Sequence, residues 1–494
     1  ATTVEAAAER VRGRYYDVIL IDCRNLEHPE ANPTMQLRAA LAFLETLRLE
    51  RDRERRFPMS RVAVFVSDTD VESVEKQIFA FGQHHIGACI RDRTSSPFRT
   101  GDAKTQARNR FVERLWQFCN ESLVGKPSGK KSLCLAGGGL AGIYYELGVL
   151  KCLNDAFGGF DIRDFDMFFG VSAGAMVAGF LANGVPVDEL IHNVGDLERT
   201  WPYKLEVGWR HLNLTDIPHR VGRLKRNVVS QVKDAVRGKR DFSVASLVSN
   251  YGVLFGPMFD NKDIERMLRH ELGRPKRSND FRRLKGKLFI GATDQDRRDH
   301  VLFGDEGRDD VPISVAIQAS TATHPFFPSV QVQGRYYTDG GVTRTSNIGA
   351  AIKKGSTFVI VIDPYVPLIS EEAGFNARQG NLWLVQQDFR TIAYTRFEQV
   401  TDEILRQNPQ VSCFTFVPSN RMRERMTESP ITAQNFHAIV TEAYSSAYRR
   451  LALLEYKLAP EMENLGIRLD LSPVAARVEL LMRQKSPDAN ALLT

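Results

Sequence analysis

The chain has 494 residues, 43% of them hydrophobic and 26% charged, with 66 Lys and Arg against 60 Asp and Glu. That length suits roughly two to four domains around a large core. The net charge of +6 favours an anionic surface but is too small to argue for nucleic acid, and no recognition-helix, zinc-finger or RNA-binding signature supplements it. Six cysteines (Cys23, Cys89, Cys119, Cys134, Cys152, Cys413) are scattered, with no CxxC pair and no Cys/His cluster at metal spacing. A reduced, cytoplasmic protein without a metal or other cofactor is therefore expected. No run approaches the roughly 18 to 20 apolar residues that span a bilayer. The opening ATTVEAAAERVRGRYYDV lacks the apolar stretch of a secretory signal.

Residues 1–125 read as an α/β accessory domain. DVILIDC (17–23), RVAVFVSD (61–68) and HIGACI (85–90) are short apolar strands, and PTMQLRAALAFLETLRLERDRERR and VESVEKQIFAFG between them have helical spacing. Strands alternating with helices imply a parallel sheet. The segment resembles, in part, the second half of a bacterial response-regulator receiver. Asp22 would stand where that family's phosphorylated aspartate ends a strand, and Ser67 would end the next one. The strand with the family's acidic pair is missing, and Arg91 or Arg93 replaces its lysine, so a plain α/β accessory layer is the favoured reading.

A helix, DAKTQARNRFVERLWQFCNESL, and a linker, GKPSGKK, lead into the second domain, residues 126–370. It opens with KSLCLAGGGLAGIYYELGVLKCL, a strand running into three glycines and a helix. FDMFFG is a strand that ends in Gly170-Val171-Ser172-Ala173-Gly174. A helical insertion follows at about 186–285. Within it, residues 220–240 carry eight basic residues and one acidic one, with Val221, Leu224, Val228, Val229, Val232 and Val236 near helical spacing. An amphipathic basic helix of this kind suits peripheral contact with an anionic membrane, although packing is the simpler use. KLFIGATD, HVLFGD, QVQGRYYTDGG and TFVIVIDP read as strands. Residues 371–494 are mainly helical, with one strand-like run, VSCFTFVP.

Three pieces carry chemistry together: Gly137-Gly138-Gly139-Leu140-Ala141-Gly142, the Ser172 pentapeptide, and Asp339-Gly340-Gly341. A nucleophilic serine must project from a strand end on a tight turn, which small neighbours such as Gly170 and Gly174 permit. The helix after it aims a positive dipole end at the serine. Glycine N–H groups can point into a site and stabilise an oxyanion. A dinucleotide loop fits Gly137, Gly139 and Gly142 but ignores Gly138, and no acidic residue closes a second strand at the required distance. Serine also needs a base within reach, and Asp339, at a strand end beside Gly340 and Gly341, can approach closely. Burial would raise its pKa and make it a competent base.

These motifs, in this order, resemble the patatin-like phospholipases. ISVAIQASTATHPFFPSVQVQGRYYTDGG is similar to that family's approach to its catalytic aspartate, and KLFIGATD to the strand before it. The resemblance covers about residues 130–365. It implies a three-layer α/β/α hydrolase core and a Ser-Asp dyad without histidine. Ser172 would be the nucleophile and Asp339 the base. The N–H groups around Gly138, Gly139 and Leu140, flanked by Gly137 and Gly142, would form the oxyanion hole. The substrate would be a phospholipid or another acyl-ester lipid. Many members carry a basic residue where this chain has Ala141, which leaves the preference among lipids open.

Other readings are a histidine triad using His437 or His324, a regulatory or scaffolding module on a hydrolase fold, and an acyltransferase or thioesterase. His437 is the only histidine after Asp339 and sits in a helical stretch. The sequence does not determine the oligomeric state.

Overall fold

The structure is a computed structural model, and it describes residues 3–23, 33–50, 52–67, 71–93, 100–123, 129–195, 229, 233, 257, 259–427, 435–486 and 488–493. The chain forms two compact units. The first comprises Ala1–Gly129, Thr401–Phe414 and Leu451–Leu469, and the second Lys130–Val400, Thr415–Arg450 and Asp470–Thr494.

In the first unit, strands β1 (Ile19–Asp22), β2 (Val62–Ser67) and β3 (Ala88–Asp92) form a parallel sheet in that order. Side chains alternate across a strand, so β2 serves two cores. Val62, Val64 and Val66 pack with Phe43, Leu44 and Phe81 on one face, while Ala63 and Phe65 meet Ile90 and Phe118 on the other. A strand covered on both faces needs an unbroken apolar run, which VAVFV supplies. Asp22 and Ser67 close their strands at the carboxyl ends.

The second unit is a mixed α/β fold, a central sheet with many helices. Its strands are β4 (Lys130–Leu135), the two-residue β5 (Phe157–Gly158) outside the sheet, β6 (Met167–Val171), β7 (Lys287–Asp294), β8 (His300–Phe303), β9 (Val330–Val332), β10 (Arg335–Asp339) and β11 (Ser356–Ile362). The sheet runs β11-β4-β6-β7-β10-β9, with β8 also on β7. β11, β4, β6 and the first half of β7 are parallel, and β8, β9 and β10 are joined antiparallel.

The register around β7 positions the site. β6 pairs with Lys287–Gly291 and β10 with Ala292–Asp294, while β8 spans Ile290–Thr293. Because β8 overlaps both partners, it occupies one edge of β7, and β6 and β10 share the other. Val171 stands opposite Gly291 and Asp339 opposite Ala292. The carboxyl ends of β6 and β10 therefore meet head to head at neighbouring positions.

The helix Gly139–Ala156 follows β4, and the helix Ala173–Ala182 follows β6 and is buried along its whole length. The helix Ile313–Ser320 packs on β7, β10 and the helix Ala173–Ala182. In the insertion, Val187–Val194 and Lys262–Leu272 are helices. Residues 220–240, apart from Val229 and Lys233, lie outside the described residues. Among the described residues, no helix is long and apolar enough to cross a membrane.

Candidate active site

Ser172 follows directly on β6 with φ 53° and ψ −122°, a conformation that L residues rarely adopt. The turn lifts the side chain out of the sheet, as a nucleophile elbow does. The turn is closed by close packing. A Cβ on Gly174 would lie 2.5 Å from the Leu135 carbonyl, and one on Gly170 would lie 2.4 Å from Ala175 Cα. Three hydrogen bonds hold it. Ser172 N–H donates to Ser320 Oγ at 2.8 Å, Ser320 Oγ donates to the Gly291 carbonyl at 2.6 Å, and Gly174 N–H donates to the Ala136 carbonyl at 3.1 Å.

Asp339 is buried, at 6% exposure, and its carboxylate is nearly saturated with donors. Ser172 Oγ donates to Oδ2 at 2.6 Å, Thr323 Oγ1 donates to the same oxygen, and Gly341 N–H donates to Oδ1 at 2.7 Å. Burial raises its pKa above the ordinary aspartate value, while the hydrogen bonds from Ser172, Thr323 and Gly341 and the nearby His324 pull the other way. The backbone is fixed too: Asp339 N–H bonds the Ala322 carbonyl, and Thr293 Oγ1 donates to the Asp339 carbonyl at 2.9 Å. Gly340 crosses the strand so closely that a Cβ would lie 2.3 Å from the Gly291 carbonyl oxygen.

The glycine loop faces the serine. A Cβ on Gly137 would lie 3.0 Å from Ser172 Cβ. Gly138 caps the helix that begins at Gly139, and Gly142 N–H returns to the Gly138 carbonyl at 3.1 Å. The N–H groups of Gly139, Leu140 and Ala141 lie in the first turn, where no helical carbonyl accepts them. Gly139 is exposed, whereas Leu140, Ala141 and Gly142 are buried. Two helix N-termini, at Gly139 and Ala173, thus converge on Ser172, which favours negative charge there.

His324, His437 and His300 are bonded to groups other than Ser172 and the Asp339 carboxylate. His324 bonds Thr338 Oγ1 and Ser329 Oγ through its two ring nitrogens. His437 pairs with Asp488 at 2.9 Å. His300 lies behind the carboxylate, bonded to Thr343 Oγ1 and Asn347 Oδ1 at 2.8 Å each, and burial pushes its pKa down to about 4. Thr343 in turn bonds Thr293, so a polar chain backs the Asp339 peptide.

Sequence reasoning selected Ser172, Asp339 and the three glycine motifs, and the fold brings them together. It missed Thr323, Ser320, Thr293 and His300. Thr323 lies within the quoted segment QASTATHPFFP, but nothing local marks it as a donor to a carboxylate 16 positions on.

Residues 133–352 match the family model described as patatin-like phospholipase. No curated protein matches the chain. Among solved structures, VipD from Legionella pneumophila is 16% identical over 72% of this chain and 75% of that one, with a TM-score of 0.31. The type III effector protein ExoU is 13% identical, with 72% and 63% covered and a TM-score of 0.23. The ExoU–SpcU complex from the type III secretion system of Pseudomonas aeruginosa is 16% identical, with 75% of each chain covered and a TM-score of 0.22. With the serine elbow, the glycine loop and the Asp-Gly-Gly turn all inside the matched span, residues 133–352 are a patatin-like phospholipase domain, the fold of a lipid hydrolase.

Proposed function

We propose that the protein hydrolyses carboxylic ester bonds of glycerolipids through a Ser172–Asp339 dyad and an acyl-enzyme, in the manner of a phospholipase A. The observation that carries this reading is the 2.6 Å hydrogen bond from Ser172 Oγ to Asp339 Oδ2, made by a serine held at φ 53°. A carboxylate whose pKa is raised by burial is a better base than an exposed one, so it accepts the hydroxyl proton as Oγ attacks the ester carbonyl. The tetrahedral oxyanion sits against the N–H groups at Gly138, Gly139 and Leu140, which need no reorganisation to receive it. Collapse breaks the C–O bond, and Asp339 returns its proton to the departing alcohol, a lysolipid. Water then gives a proton to Asp339 as its oxygen attacks the acyl carbon. The second tetrahedral intermediate releases the fatty acid, and the proton returns to Ser172 Oγ.

The test is labelling with a fluorophosphonate, together with lipid analysis of wild type against Ser172→Ala. An adduct on Ser172 and release of free fatty acid by wild type alone are expected. Folded protein that takes no adduct on Ser172 overturns the dyad and favours the regulatory or scaffolding reading.

A further inference from the structure

The helix Asn381–Gln407 is turned the unusual way round. Its inward face buries Gln387 and Arg390 beside Ala393 and Phe397. Its outward face presents Val385, Phe389 and Ile392, at 50%, 59% and 63% exposure. The spacing of four and then three residues puts these on one stripe. Leaving a Phe and an Ile more than half in water while burying a guanidinium is unfavourable for a surface with no apolar partner.

The same helix is tied to the candidate active site. Arg396, one turn beyond Ile392, donates to the carbonyl oxygens of Gly341 and Val342 at 3.2 and 3.1 Å. Val342 follows the Asp-Gly-Gly turn and is itself 54% exposed. The stripe is thus continuous with the loop that holds Asp339. Arg344 lies close enough to Arg396 to lower its pKa, after the larger effect of burial. Among the described residues, neither guanidinium has a carboxylate within ion-pair distance. Two unneutralised guanidiniums beside an apolar stripe complement a phosphodiester headgroup above acyl chains.

We propose that Val342, Val385, Phe389 and Ile392, edged by Arg344 and Arg396, form the surface that seats the protein on an anionic phospholipid bilayer. This rests on the lipid-hydrolase reading of the neighbouring site. The seat borders the turn that holds Asp339, so a bilayer bound there lies beside the candidate site.

The experiment is co-sedimentation of the full chain carrying Ser172→Ala with phosphatidylcholine vesicles, with and without phosphatidylserine. With no turnover, binding is read separately from chemistry, and fluorophosphonate labelling of wild type judges the chemistry on its own. Adding Phe389→Ser and Ile392→Ser should weaken vesicle binding at least about tenfold without lowering the melting temperature. Arg344→Gln should cost about fivefold on phosphatidylserine vesicles and little on phosphatidylcholine alone. If the double variant melts early, single Val385→Ser and Phe389→Ser carry the same expectation. Undiminished binding by the serine variants overturns the proposal. So does a wild-type dimer that the double variant splits while vesicle binding stays the same, which would make the stripe a self-association face.

Discussion

Thr323 Oγ1 donates to the same oxygen of Asp339 that accepts from Ser172. The threonine therefore stabilises the ionised carboxylate against the effect of burial. Removing that donor raises the carboxylate pKa further. In the proposed mechanism Asp339 must be ionised to act as the base, so the acid limb of kcat/KM is expected above the ordinary aspartate range in wild type and at still higher pH in Thr323→Val. A pH–rate profile on a soluble ester checks this. An acid limb that stays in place would show that the limb reports another group.

Two glycine substitutions should separate folding from chemistry. Gly174→Ala drives a methyl group to 2.5 Å from rigid backbone at Leu135 and Ala136, so a stability loss of about 3 kcal/mol is expected in denaturant unfolding. Gly137→Ala comes closest to Ser172, at 3.0 Å from its Cβ. Its melting point should barely change, while displacement of the nucleophile by tenths of an ångström lowers kcat by about 10- to 100-fold.

His437→Ala tests the histidine triad directly. The ring pairs through Nδ1 with the half-exposed Asp488 at 2.9 Å. Losing so exposed a pair costs about 1 kcal/mol at most, and hydrolysis should stay within about twofold of wild type.

Glu146 gives a pH-dependent stability. It lies wholly buried on the helix that carries the glycine loop, and among the described residues neither carboxylate oxygen has a hydrogen-bond partner. Burial first, and then Asp363, raise its pKa; Asp363 is itself pushed up to about 6 by burial. At acid pH, Glu146 is protonated in the folded and unfolded chains alike. As pH rises past the unfolded value, only the unfolded chain ionises, so wild type loses stability until the folded pKa is reached. Glu146→Gln removes that loss. Its advantage should be absent at acid pH and grow by up to about 1.4 kcal/mol per pH unit above the unfolded value, read from urea midpoints.

Local signals were strong where a segment's own residues decide its form. VESVEKQIFAFG and DAKTQARNRFVERLWQFCNESL are helices over Val71–Gly82 and Asp102–Leu123. KLFIGATD is a strand over its full length. QVQGRYYTDGG reads as one strand but folds as the hairpin β9–β10, because Gln333 and Gly334 both take positive φ, at 48° and 80°. Gln-Gly is a fainter turn signal than Asn-Gly or Asp-Gly. Ser172 and Asp339 were legible because glycine neighbours mark a nucleophile turn and a close approach. Ser320 and Thr323 were not, since a hydroxyl becomes a bracing group only through partners that other strands deliver. The same holds for Phe389 and Ile392, which sit in an ordinary helical pattern whose outward face only the packing of Arg390 reveals.

The head-to-head meeting of β6 and β10 has a consequence for how this domain can change. β7 enters the sheet at Lys287, opposite Met167, five residues of β6 away from Ser172. At about 3.3 Å per residue, that is about 16 Å from the reacting atoms. Chain inserted between the helix after Ser172 and β7 is therefore returned to the sheet at its remote end. Such a segment can lengthen, shorten or take on a task of its own while the two strand ends stay aligned, so accessory sequence and hydrolytic chemistry can diversify independently.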